Sequence, residues 1–277
     1  MKNAITFDVE DWFQLAYRRV TGQFTLPSEE VAHSVERILK ILAQRRVKAT
    51  FFVLGLVAEA FPNLVNQIHE EGHEIASHGY KHEHINEQVE KFRADLGKSI
   101  EILEAITGER VQGYRAPFWS IKAHSIETLR ILAQSGLRYD SSILPRGGNR
   151  TGRRPFHPLP DSAFVEFPPA VLPFWICNIS VAKGRYLRAL PYQIIKEMIR
   201  RGNEEGNVAV IDIHSYELDE GQLRGLHTLG LKQRLKISAL HFAYSLNRAS
   251  VEKKLLSLLN DFEFAPLKEI STTALRQ

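Results

Sequence analysis

The sequence predicts an α/β fold built on a parallel sheet, open or closed into a barrel. Short apolar runs of strand length alternate along the chain with longer segments of helical periodicity, the pattern of repeated βα units. Several runs stop abruptly at charged or histidine residues, as buried strands do when their C-terminal ends open into a site. The 277 residues are 44% hydrophobic and 25% charged, an ordinary globular balance with enough length for a large core.

The elements follow in order. Residues 3 to 8 form an apolar run ending at Asp8, which predicts a first strand. Pro27-Ser28-Glu29-Glu30 starts a helix, and Val31, Val35, Ile38, Leu39 and Leu42 recur at its spacing. A second strand is expected over 48 to 54, then a helix over 62 to 71 that begins at Pro62 and stops at Gly72. Further strands are expected near 74 to 77, 111 to 115, 137 to 140, 164 to 167 and 208 to 213. Helices are expected near 88 to 107, 124 to 135 and 191 to 201, and the chain is expected to close with a helix near 250 to 260 and a strand near 262 to 267. The stretch 145 to 160, rich in Pro, Gly and Arg, reads as a loop.

Bulk properties exclude several classes. Lys plus Arg exceed Asp plus Glu by only 36 − 32 = 4, too little for a dedicated nucleic-acid binder. Cys177 is the single cysteine, so no internal disulfide framework exists and a reducing compartment is permitted. Asp8 follows the start too closely for a signal-peptide apolar region, and no apolar run approaches the roughly 20 residues needed to span a bilayer. The expected location is the cytoplasm, with any membrane contact peripheral.

Five constellations fall at predicted C-terminal strand ends. Asp8-Val9-Glu10-Asp11 packs three carboxylates into four residues, and their repulsion calls for a metal, an arginine or water. His78-Gly79-Tyr80-Lys81-His82 places two histidines at i, i+4, which on a helical turn face one way and grip one cation. In Gly113-Tyr114-Arg115-Ala116-Pro117-Phe118-Trp119 an arginine leaves a strand into a proline-stiffened loop, where it can pair with a carboxylate. Asp140 closes another strand in Tyr139-Asp140-Ser141-Ser142. In Ile211-Asp212-Ile213-His214, Asp212 and His214 share one face of a strand. Each alone is equally consistent with a solvated turn or a packing residue; their joint placement in one layer carries the argument.

In order and spacing, from residue 4 to about 217, these motifs resemble the polysaccharide deacetylases with a NodB-like domain, carbohydrate esterase family 4. Finer features resemble the exosortase-associated branch that accompanies exopolysaccharide gene clusters: Phe7 to Trp12, Tyr139 to Ser142, Glu166-Phe167-Pro168, Arg188 to Tyr192 and Asp261 to Phe264. The resemblance implies an irregular (β/α) barrel of about seven parallel strands, forming a single domain over 1 to 277 with a C-terminal extension from about 218 to 277. It implies that Asp8 is the general base, that His78 and His82 bind a metal, that Arg115 orients Asp8, and that Asp140 supports His214 as general acid. Two departures stand out. Val9 follows Asp8 where the family has a second aspartate, which leaves the acidic ligand open between Glu10 and Asp11, and Gly79 replaces the usual Ser or Thr of the histidine motif.

Two histidines and one carboxylate leave coordination positions open, which suits a catalytic divalent metal, Zn²⁺ being the expected ion. The expected reaction is removal of N-acetyl groups from an amino sugar, in a polysaccharide or a lipid-linked precursor. Alternatives on the same scaffold are hydrolysis of a non-sugar amide or ureide, as in allantoinase-like members, or an inactive carbohydrate-binding homologue. Trp12, Tyr114, Phe118 and Trp119 are the candidates to contact the sugar. Arg146, Arg150, Arg153 and Arg154, and the basic, apolar segment from Leu229 to Arg248, permit contact with a phosphate or an anionic membrane.

Overall fold

A computed structural model of the chain describes residues 1–85, 88–145, 154–174, 177–180, 184–218, 226 and 229–274. The first half alternates as expected: β1 (Ala4–Val9), α1 (Trp12–Thr21), α2 (Glu30–Arg45), β2 (Thr50–Val53), α3 (Gly55–Ala60), α4 (Pro62–Glu70), β3 (Glu74–Ser77), α5 (Val89–Thr107), β4 (Gly113–Tyr114), α6 (Ile126–Gln134) and β5 (Tyr139–Asp140). There follow β6 (Val165–Glu166), an antiparallel hairpin of β7 (Val171–Phe174) and β8 (Cys177–Ser180), α7 (Gly184–Ala189), α8 (Tyr192–Glu204), β9 (Val210–His214), α9 (Leu231–Ser245), α10 (Ala249–Asp261) and α11 (Leu267–Ala274).

Seven strands form one sheet in the order β6-β5-β4-β3-β2-β1-β9, and every neighbouring pair is parallel. The sheet is curled into a half-barrel. Arg115, just after β4, hydrogen-bonds Thr6 and Asp8 on β1 and Asp212 on β9. On a flat sheet with strands about 4.8 Å apart, β1 would stand three spacings away, beyond the reach of one side chain. Curling brings both margins toward the axis and makes those bonds possible.

Alternation along each strand sorts the core into two sets. Ile5, Phe7 and Val9 of β1, Phe51 and Val53 of β2, and Ile211 and Ile213 of β9 face outward and pack with α2 through Val35, Ile38 and Leu42. Ala4, Phe52, Ala76, Tyr139, Val165, Phe167 and Val210 face the barrel axis and form the second set, joined by Ala265, Leu267 and Ile270. The start of α11 closes the bottom of the barrel. There the buried Glu74 carboxylate accepts from Lys268 N at 2.9 Å, Thr50 Oγ1 at 2.7 Å and Tyr139 Oη at 2.9 Å.

Several expectations change. The C-terminal strand over 262 to 267 reduces to one bridge, Asn3 with Phe264, because Ala265, Leu267 and Ile270 turn inward as part of the plug. Five helices that periodicity did not reveal, α1, α3, α7, α9 and α11, are present together with the hairpin. Of these, α1 starts where Asp11 Oδ1 accepts from Phe13 N and Gln14 N, and it ends at Gly22 with φ of 71°. No helix among the described residues is long and apolar enough to cross a membrane.

Candidate active site

The site occupies the C-terminal mouth of the half-barrel, in a cleft of about 810 Å³. Its walls include Asp8, Glu10, His78, His82, His214, Trp12, Phe118 and Trp119. Asp8 and Glu10 project from the end of β1 on its inward face, and Ser215 fixes that end by donating to Glu10 O (2.9 Å). His214 ends β9, the neighbouring strand, in register with Asp8.

His78 and His82 flank a loop after β3. The expected helical turn is absent: Gly79 (φ 77°) and His82 (φ 52°) lie in the left-handed region. The loop is instead pinned by Asp95 of α5, whose carboxylate accepts from Tyr80 N (2.7 Å) and Lys81 N (3.1 Å). Gly79 is required there on two counts, since its φ is positive and an added Cβ would stand 2.9 Å from Asp95 Oδ2. The loop still brings both imidazoles inward, with ring centroids 5.3 Å apart.

Glu10, His78 and His82 offer ligand atoms that all lie within 4.8 Å of one another, and all three residues are buried. Glu10 Oε2 is 2.9 Å from His82 Nε2 and 3.7 Å from His78 Nε2. His78 Nδ1 bonds Arg115 O at 2.9 Å, which directs Nε2 into the cleft. Burial alone would raise the Glu10 carboxyl, but the two imidazoles hold it well below the carboxylate range. Asp11 is turned away: its oxygens accept from Phe13 N, Gln14 N and Ser28 N, so it caps α1.

Asp8, Asp212 and His214 form a second group within the same 4.8 Å limit. Arg115, fully buried between Phe52 and Trp119, donates to Asp8 (2.7 Å), Asp212 (3.1 Å) and Thr6 (2.9 Å), and its other nitrogens reach Ser141. Burial works to raise Asp8, and Arg115, His78 and His214 together lower it, so it stands ionised at neutral pH. For His214 the order reverses: burial works to lower it, and Glu10, Asp212, Asp8 and Glu217 raise it. Tyr216 stacks on the His214 ring at 4.9 Å.

Two further expected site residues, Asp140 and Tyr114, sit elsewhere. Asp140 lies on the outward face of β5, because its neighbours Tyr139 and Ser141 point to the axis. It accepts from Ser142 Oγ and pairs with Glu166, whereas the carboxylates nearest His214 are Glu10 (3.5 Å) and Glu217 (3.9 Å), with Asp212 beside it. Tyr114 also faces outward, packed on Phe92 at 5.9 Å and buried from the cleft. Trp119 is 9% exposed and lines the cleft with its ring packed on Arg115. Of the aromatic candidates, Phe118 stands exposed at the lip, 4.5 Å from His82, and Trp12 lines the wall against His241 and Tyr244 of α9. Arg146, Arg150 and Arg153 lie outside the described residues; Arg154 is tied to Asn207 and Glu205.

Asp212, Glu217 and Asp95 were not assigned roles from sequence. Asp212 was visible through its shared face with His214, and Glu217 through its i+3 spacing, but Asp95 reaches the loop only through folding.

A curled seven-stranded parallel half-barrel whose mouth gathers His78, His82, His214 and several carboxylates is a (β/α) barrel of the NodB-like kind. Residues 4–139 match the family model described as polysaccharide deacetylase, and residues 141–272 match one described as a domain of unknown function. Just under half of the chain, residues 4–139, is thus similar to the polysaccharide deacetylase family. It is 34% identical over 111 residues to a peptidoglycan deacetylase of Helicobacter pylori, covering 40% of this chain and 37% of that protein. Against a peptidoglycan-N-acetylglucosamine deacetylase of Bacillus cereus it is 39% identical over 92 residues, covering 33% of this chain and 34% of that protein. The matched part thus spans about a third of each of these relatives. A crystal structure from Mycobacterium smegmatis, described as a polysaccharide deacetylase, superposes with a TM-score of 0.65 at 23% identity over 98% of this chain and 88% of that one.

Proposed function

We propose that this protein is a metal-dependent hydrolase that removes N-acetyl groups from an amino sugar. The observation that carries the reading is the convergence of Glu10, His78 and His82 beside the Asp8, Arg115 and His214 group. Two ligands each about 2.1 Å from one ion at a tetrahedral angle stand about 3.4 Å apart. The 2.9 and 3.7 Å separations from Glu10 to the two imidazoles bracket that value. Glu10 Oε2 is buried with no hydrogen-bond partner among the described residues, which a cation would satisfy. This donor set of two imidazoles and one carboxylate fits Zn²⁺.

A divalent cation held there supplies Lewis-acid polarisation of the acetamide and an acidified water. Asp8 takes the proton from the attacking water. Arg115 holds Asp8 ionised and aimed by a charge-assisted bond at 2.7 Å. His214, kept protonated by the carboxylates around it, delivers a proton to the departing amine, which leaves poorly without one. Phe118, exposed at the lip, offers a ring for a sugar to stack on.

The names of the relatives support an N-acetylated sugar as substrate. The finer sequence features, Phe7 to Trp12 and Asp261 to Phe264 among them, support a place in exopolysaccharide synthesis, on the polymer or a lipid-linked precursor. The test is acetate release from N-acetylated oligosaccharides with chelator and with metal restored. Release that needs the metal supports the reading, and chelator-insensitive release overturns the mechanism.

A further inference from the structure

α9 (Leu231–Ser245) has two unlike faces. Ile237 is fully buried, Leu240 and Tyr244 line the cleft, and His241 meets the Trp12 ring edge-on at 5.3 Å. On the outside, Leu231, Leu235 and Phe242 are 73%, 62% and 68% exposed, and Leu246, just past the helix, is 55% exposed. Leu231, Leu235 and Phe242 fall within an arc of about 40°, so with Leu246 they make an aligned apolar row about 22 Å long, interrupted by Ser238. Soluble surfaces scatter such residues singly; an aligned ridge marks a contact.

The charge beside the ridge has one sign. Residues 229 to 251 hold Lys232, Arg234, Lys236 and Arg248 and not one Asp or Glu. Lys232 and Lys236 stand about 100° and 140° around the helix from Leu231, along one side of the ridge. Both are exposed, and neither makes an ion pair among the described residues.

We propose that the outer face of α9 docks this protein on an anionic lipid bilayer, the ridge entering the headgroup boundary and the two lysines meeting lipid phosphates. The ridge is convex and offers no groove for a peptide. A second copy would have to set lysine-edged ridges against each other, which like charges oppose. An anionic bilayer accepts both features at once. Docking in this way sets the cleft, on the opposite side of the same helix, about one helix diameter from the membrane. The inference stands apart from the reaction assigned above.

The experiment is flotation of the full chain with phosphatidylcholine vesicles and with phosphatidylcholine and phosphatidylglycerol vesicles. Wild type is expected to float with the anionic vesicles, to stay behind with the neutral ones, and to be released by salt. The variants L235S/F242S and K232E/K236E are each expected to lose anionic-vesicle binding by about tenfold or more. Circular dichroism and thermal unfolding report whether each variant keeps its fold, so that lost binding is not lost structure. Equal flotation with both vesicle types, no flotation, or variants that float as wild type does would overturn the proposal. A wild-type dimer in light scattering that disappears in F242S would also overturn it, by assigning the ridge to a second copy.

Discussion

Arg115 Nη1 stands 2.7 Å from Asp8 Oδ1 and 3.1 Å from Asp212 Oδ1, and none of the three side chains exceeds 2% exposure. One guanidinium, carried by the loop after β4, neutralises two carboxylates from strands at the other side of the sheet. Breaking a buried pair leaves an uncompensated charge, at a cost of about 3 to 5 kcal/mol. Arg115→Met is therefore expected to lower the urea midpoint sharply. Arg115→Lys keeps the charge but cannot serve Asp8, Asp212 and Ser141 together, and it should recover part of the stability. Equal midpoints for wild type and Arg115→Met would remove the pair from the account of the fold.

Asp8→Asn and His214→Ala are each expected to reduce acetate release by about 10² to 10⁴-fold while the far-UV spectrum stays unchanged. The effects should not multiply in the double variant, since proton removal and proton delivery serve one reaction. Near-wild-type turnover by either single variant excludes that residue from proton transfer.

Two adjacent acids are expected to separate cleanly. Glu10→Gln should bind zinc far more weakly, read by metal content after dialysis. Asp11→Ala should keep its metal and lose about 1 kcal/mol of stability, because Asp11 caps α1. Metal loss in Asp11→Ala with retention in Glu10→Gln would reverse the assignment.

Asp95 touches no cleft atom but accepts two backbone N–H groups of the loop between His78 and His82. Asp95→Ala is expected to raise the zinc Kd by about 10 to 100-fold, as removal of a supporting partner does. A titration giving the wild-type Kd would show that the loop holds its shape without it.

Asp140 and Glu166 form a buried acid pair. Burial, with the neighbouring carboxyl, holds Glu166 well above the ordinary range, and burial pushes Asp140 up to about 7. An unfolded Asp140 releases its proton near 3.8, while the folded one keeps it until about 7. Between those values the native state binds more protons, so stability is expected to fall with rising pH, by about 1.4 kcal/mol per pH unit for each proton. Asp140→Asn should flatten that decline in denaturant midpoints measured from pH 4 to 7. An unchanged slope would count against the pair.

The alternation of strands and helices was legible because buried parallel strands need unbroken apolar runs, and their stops at Asp8, His78, Arg115 and His214 marked the mouth of the barrel. Short helices were not: α3 and α7 have six residues each, too few for a helical period, whereas the two-residue β4, β5 and β6 fall inside expected strands. α1 was announced only by its cap, and Asp11 looked like a ligand because a capping carboxylate and a metal ligand are the same residue type at the same strand end.

Sequence by itself determined the fold class and the residues that could meet at the mouth, since strand parity and strand ends are local properties of the chain. It also contained the parity that turns Asp140 outward, with Tyr139 and Ser141 on the axis side. Tertiary structure alone decided which carboxylate serves which partner. The curl of the sheet brings Asp212 and Asp8 to Arg115, the left-handed loop held by Asp95 aims His78 and His82 at Glu10, and the turn after β9 sets Glu217 beside His214. Apart from the i+3 pair of His214 and Glu217, those choices depend on distances of a few ångströms between segments up to 107 residues apart, and no local pattern encodes them.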